Sequence, residues 1–127
     1  MNKGIQRSGI IAGGNFIVDS VQMIDHWPDE EGIALVDGQA LSNGGGPYNV
    51  LSDLSKLGAG FPLSAVGRIG EGDFGDWILK DCASKNIDTR QLIVTPGSTT
   101  SYTHVMTDQQ TGRRTFFHNK GANSYLI

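Results

Sequence analysis

With a single cysteine, the 127-residue chain cannot close an internal disulfide, which excludes the disulfide scaffolds of small secreted domains. Cys82 falls among apolar residues at helical spacing and reads as a buried, reduced thiol, the usage of a cytoplasmic protein. Long hydrophobic runs are missing too. The start, Met1-Asn2-Lys3-Gly4-Ile5-Gln6-Arg7, is polar and leads into only a short apolar stretch, too brief for a signal h-region or a membrane span. Basic residues are scarce: ten Lys and Arg face thirteen Asp and Glu, a formal charge of −3, and only Arg113-Arg114 are adjacent. No nucleic-acid footprint or membrane partner is therefore expected. Internal repeats, low-complexity tracts and a Pro/Gly/Ser-rich linker are also absent, so the chain reads as one domain or part of one.

Glycine, in contrast, is plentiful. The eighteen glycines cluster at 13–14, 44–46, 58–60 and 67–75, the distribution of tight turns and close approaches. Ser8 to Gly14 is a short apolar run closed by glycines, the pattern of a buried strand opening an α/β sheet. Val18–Trp27 and Ile33–Leu41 are extended segments on either side of a wet acidic tip, and they predict a hairpin. Pro47, Val50, Leu51, Leu54, Leu57 and Gly58 predict a helix over about 47–57 with the leucines on its buried side. A core strand is expected at 62–67. A second helix from Asp73 would bury Phe74, Trp77, Ile78 and Cys82, turn Lys80, Asp81 and Lys85 outward, and end at Asn86. Thr100–Asp108 and Arg113–Asn119 alternate around Gln109-Gln110-Thr111-Gly112, a second hairpin. The main α/β core thus takes about 8–17, 44–97 and 120–127, and a small β lid takes about 18–43 and 98–119.

The Gly44-Gly45-Gly46 loop at a helix start admits three readings. One is a phosphate cradle, but Pro47-Tyr48-Asn49 stands where a P-loop needs Lys and Ser or Thr. Another is a turn that needs positive φ, and the third is close approach of backbone to a small polyol, with Asn49 aimed at the same spot. Asn49 is equally a first-turn capping residue. Asp19 is either an exposed hairpin residue or a carboxylate at the crevice mouth accepting two hydroxyls, for which an ionised acceptor suits.

Five segments come in order: Gly13-Gly14-Asn15 through Asp19; Gly44 to Val50; Val66 to Gly75; Thr111-Gly112-Arg113-Arg114; and Gly121-Ala122-Asn123. In order and spacing the chain resembles the ribokinase-like (PfkB) carbohydrate kinases. The resemblance implies a Rossmann-type three-layer α/β/α sheet with a β lid. It makes Asp19 the sugar-hydroxyl acceptor, Gly44 and Gly45 the glycines lying against the sugar, and Asn49 the sugar-binding asparagine. Thr103, Val105 and Phe116 would face the sugar from the lid, which in several members also forms a dimer interface. His104 and His118 receive no role and read as lid surface. Two positions depart from the family pattern, Leu51 and Gly72. The Gly46-Pro47 pair leaves fructose-type sugars, ribose and nucleosides all open.

In that family the Gly-Ala-Gly-Asp motif with its catalytic aspartate, and the ATP and Mg2+ environment, belong to a C-terminal half. The sequence has no such motif. The expectation is therefore an N-terminal, sugar-binding part of an ATP-dependent sugar kinase, inactive alone, with catalytic residues beyond Ile127. The alternatives are a nucleoside kinase and a non-catalytic sugar-binding or dimerisation module.

Overall fold

Ile10–Gly14 forms the first strand, β1, and its glycine end lets the chain turn at once into β2, Ile17–Ile24. The computed structural model describes Gly4 and residues 6–126; Ile127 and most of the polar start lie outside the described residues. After β2 come β3 (Val36–Gly44), α1 (Gly46–Lys56), β4 (Leu63–Gly70), α2 (Asp73–Ser84), β5 (Ile87–Thr95), β6 (Tyr102–Asp108), β7 (Arg114–Asn119) and a 3-10 turn, Gly121–Tyr125.

The strands divide into two sheets. β1, β4 and β5 are parallel, in that order, and the connections β1 to β4 and β4 to β5 carry α1 and α2. The second sheet runs β3-β2-β6-β7, with antiparallel outer pairs and a parallel β2–β6 seam. Both expected hairpins exist, and the β2–β6 seam joins them into one mixed lid sheet. The strand β5 was not foreseen: its apolar alternation is broken, and its pairing with β4 slips between Ser64 and Val66.

Alternation along β4 sends Leu63, Ala65 and Ile69 to one face, where they meet Leu51, Ile78, Cys82, Ile87 and Leu92 in the core. The face of α1 matches the expected one at Leu51 and Leu54 and departs from it at Val50 and Leu57. Tyr48, Leu51 and Ser52 are buried, whereas Val50 is half exposed and Leu57 is 83% exposed. Leu51 and Leu54 pack on the core as expected, and Tyr48 and Ser52 take the places of Val50 and Leu57 on the buried side; Ser55 donates to the Lys85 carbonyl at the end of α2 at 2.8 Å. The buried face of α2 carries Ile78 and Cys82, with Phe74 and Trp77 packed beside them. Its first turn carries Asp73 and Asp76, which complement the helix dipole where no side chain caps it. Burial, then the neighbouring Asp81 charge, push the Cys82 thiol up to about 11, so it is an unreactive core residue. Among the described residues no helix is long and apolar enough to cross a membrane.

Candidate functional site

The turn from β3 into α1 is where the backbone is most constrained. Gly45 caps α1 with φ +97°, and a Cβ there would overlap the Asn15 carbonyl oxygen. A Cβ on buried Gly44 would sit 2.6 Å from Asp19 Oδ2. Gly45 is thus demanded by packing, whereas Gly44 is pressed only by the end of the Asp19 side chain and leaves bare main chain beside that carboxylate. The turn reading and the close-approach reading are compatible. Asn49 donates its backbone N–H to the Gly45 carbonyl at 3.0 Å, while its side chain is exposed in the first turn of α1.

Sheet register fixes what stands around Asp19. Ser42, Asp19, Thr103 and His118 are direct cross-strand neighbours on β3, β2, β6 and β7. Ala40, Val21, Val105 and Phe116 form the next row on that face, and Gly38, Met23, Thr107 and Arg114 the one after. Asp19, Thr103, Val105 and Phe116 therefore share one face of the lid. Thr103 and Val105 are buried and Phe116 is largely exposed. The Thr103 hydroxyl meets His118 Nδ1 at 2.8 Å, and the Arg114 guanidinium lies 5.4 Å from the centre of the Phe116 ring. Burial raises the Asp19 carboxyl above its ordinary range, and the charges of Arg114 and His118 hold that rise back. Asn49 lines a depression of about 490 Å³ that Ser42, Asn43, Tyr48, Trp77 and Asp81 also border. Ser42 links the two groups: it neighbours Asp19 in the sheet and Asn49 in the depression.

Two features escaped the sequence reading. His118 stands in the Asp19 row, while His104 lies edge-on to Tyr102 at 5.1 Å. Asp81 and Lys85, expected to face solvent, turn to the root of the lid: Asp81 accepts from Asn43 Nδ2 at 3.1 Å, from Lys85 Nζ at 2.6 Å and from the Tyr48 hydroxyl. The i, i+4 spacing of Asp81 and Lys85 was the available signal, but their partner, Asn43, comes from a distant strand. Burial alone would raise the Asp81 carboxyl; the hydrogen bonds from Lys85, Tyr48 and Asn43 outweigh it and hold the group below its ordinary range. A lowered folded-state value means that this stability is present above the unfolded carboxyl range, near pH 4, and is lost as pH falls through the folded value. Asp81→Asn is expected to cost about 1–3 kcal/mol at neutral pH and to flatten the acid limb of a urea-denaturation series.

At the carboxyl ends of β4 and β5, Arg68 donates to Thr95 Oγ1 at 3.3 Å. Among the described residues no three His, Cys, Asp or Glu side chains group as metal ligands.

The family model described as pfkB family carbohydrate kinase matches residues 14–127. The chain belongs to the pfkB family. The curated protein named "Probable fructokinase-6, chloroplastic" of Arabidopsis thaliana is 27% identical over 107 residues, which are 82% of this chain and 27% of that protein. A nucleoside kinase of Methanocaldococcus jannaschii superposes with a TM-score of 0.81 at 18% identity, over 94% of this chain and 39% of its own. A ribokinase of Cryptococcus neoformans var. grubii serotype A, solved with ADP, gives 0.78 at 21% identity, over 94% and 36%. The fold is thus ribokinase-like, α/β/α with mixed sheets.

These matches correct the expectation of an N-terminal part that is inactive by itself. The pfkB match is to a single family domain and runs over nearly the whole chain, 14–127, and the solved relatives align over more than nine-tenths of it. Family membership is therefore assigned to the chain as a whole, and the reading of a truncated, inactive piece is withdrawn. The chain spans about a quarter to two-fifths of the length of these relatives.

Proposed function

We propose that the chain serves an ATP-dependent kinase that phosphorylates a hydroxyl of a sugar or a sugar-like polyol. Asp19 accepts two hydroxyls, the Gly44–Gly45 main chain lies against the carbon skeleton, Asn49 closes the near side, and Thr103, Val105 and Phe116 cover the sugar from the lid. One observation carries the reading: a half-buried carboxylate held against the bare main chain of Gly44, beside a Gly45 that tolerates no Cβ, in a pfkB family chain. ATP is the phosphoryl donor in this proposal and Mg2+ its counter-ion, supplying charge neutralisation at the transferred phosphoryl group. The relatives' names supply the neutral panel: fructose, ribose and a nucleoside. Titration calorimetry with that panel, followed by a coupled assay for ADP release, tests it. Saturable binding of at least one member with ADP release supports the function; absence of binding at millimolar concentrations refutes it.

We further propose that the opposite face of the lid pairs with a second copy. There Trp27 stacks on Phe117 with ring centres 6.4 Å apart, Val36 stands half exposed beside them, and Leu41 is half exposed across the same face on β3, the kind of apolar patch that marks an interface. Sedimentation velocity is expected to show a dimer that Phe117→Glu dissociates.

A further inference from the structure

The Asp19 face of the lid has an uneven charge pattern for a chain of net charge −3. Across its three rows, Ser42–Asp19–Thr103–His118, Ala40–Val21–Val105–Phe116 and Gly38–Met23–Thr107–Arg114, the one carboxylate is Asp19. The two groups able to carry positive charge, His118 and Arg114, both lie on β7. Small or apolar side chains fill the middle row between them and give a sugar nothing polar to bond there.

Arg114 is placed rather than free. Its guanidinium lies over the Phe116 ring at 5.4 Å, and among the described residues it makes no ion pair within 4.0 Å. Rows on one face step by about 6.6 Å, so Arg114 starts about 13 Å along the sheet from the Asp19 row. Leaning over Phe116 brings it back: its charge acts on the Asp19 carboxyl. Among the described residues the carboxylate on β2 and the guanidinium on β7 thus share one side of the lid sheet with no ion pair between them. Neutral hydroxyls are weak partners for a guanidinium, whose planar fork matches the paired oxygens of a carboxylate or phosphate.

We propose that the substrate carries an anionic group, a carboxylate or a phosphate, which Arg114 grips with His118 beside it, at the end of the sugar remote from Asp19. The inference rests on the sugar-site reading above. Thr103 fixes the orientation of the His118 ring, so the donor face is built before substrate arrives.

The test uses matched pairs on the full chain by titration calorimetry at low salt: sorbitol against gluconate, and fructose against fructose 6-phosphate, with inorganic phosphate as control. At least one anionic member is expected to bind roughly tenfold or more tighter than its neutral counterpart, the scale of a charge-assisted hydrogen bond. The pair that shows the gain distinguishes carboxylate from phosphate. Arg114→Gln should erase the gain, the anionic member losing roughly tenfold or more affinity beyond any loss of the neutral member, and Arg114→Lys should keep part of it. Equal affinity within both pairs overturns the proposal. So does an equal loss for both members in Arg114→Gln, which would mean that Arg114 merely supports Asp19. If Arg114→Gln lacks the native circular dichroism spectrum, Arg114→Lys decides: a gain undiminished from wild type counts against bidentate gripping. Asp19→Ala separates the two levels. Undiminished binding of the neutral sugars by that variant removes the sugar-site reading, whereas loss of all binding together with a flat charge preference in wild type removes only the anionic substrate.

Discussion

Asp19→Ala is expected to raise the dissociation constant for every sugar the chain binds by two to four powers of ten, while leaving its thermal stability at neutral pH unchanged or slightly higher. The affinity side follows from the loss of two charge-assisted hydrogen bonds, each worth roughly 1.5–3 kcal/mol. The stability side follows from electrostatics. Burial is the largest influence on the Asp19 carboxyl and raises it, with Arg114 and His118 compensating only in part. A group whose folded-state value is raised stabilises the fold where it is protonated, below the unfolded value near 3.9. That contribution disappears as pH rises through the folded value. At neutral pH the ionised carboxylate is therefore a liability in the empty fold, as the proposed role in binding would require. Calorimetric titration gives the first half, and urea denaturation at pH 3.5 and pH 7 the second. A variant that binds normally, or one that melts well below wild type at neutral pH, would show Asp19 to be a structural residue.

What could be read from the chain divides along physical lines. Elements defined by local chemistry were legible: Pro47 and Gly58 bracket α1, Asp73 opens α2, and Asn86, with φ +56°, closes it. The faces of those elements were harder, because a helix face is chosen by what it meets. Val50 and Leu57 have the spacing of a buried stripe, but Tyr48 and Ser52 took that place, Tyr48 because Asp81 and Lys85 were there to receive it. The polar residues at the root of the lid were invisible for the same reason. Asn43 and Asp81 are 38 positions apart and meet only when β3 lies beside α2. His118 joined the Asp19 row through two successive pairings, one of them the parallel β2–β6 seam, and no local periodicity encodes a partner reached through a crossover. Asp19, Gly44, Gly45 and Asn49 were singled out because glycine and carboxylate chemistry is written in residue type, and family resemblance gave their order. Arg114 was seen as half of a basic pair and not as a group facing Asp19, since that needs the register of β7.

Gly44 and Gly45 are neighbours, yet their alanine variants should fail in opposite ways. At Gly45 a methyl group would run into the Asn15 carbonyl and the Phe16 main chain, and φ +97° is strained for any L side chain. Neither obstacle can move, because Asn15 links β1 to β2 and Phe16 is fully buried in the core. Gly45→Ala should therefore cost on the order of 3–5 kcal/mol, a large share of a small domain's stability, and appear as a lowered denaturation midpoint or as insoluble protein. At Gly44 the backbone has ordinary φ, and the obstacle 2.6 Å away is the end of the Asp19 side chain. A carboxylate can swing aside. Gly44→Ala should fold with a loss nearer 1 kcal/mol but push Asp19 out of line with the sugar, so that affinity falls by about tenfold or more, the worth of one charge-assisted hydrogen bond. In an Asp19→Ala background the added methyl has the Ile17 carbonyl oxygen at 3.8 Å, an ordinary contact, and Gly44→Ala should cause no further loss of affinity. That non-additivity is what a double-mutant cycle measures. Independent, additive losses would mean that the added methyl group meets the sugar directly and does not act through Asp19.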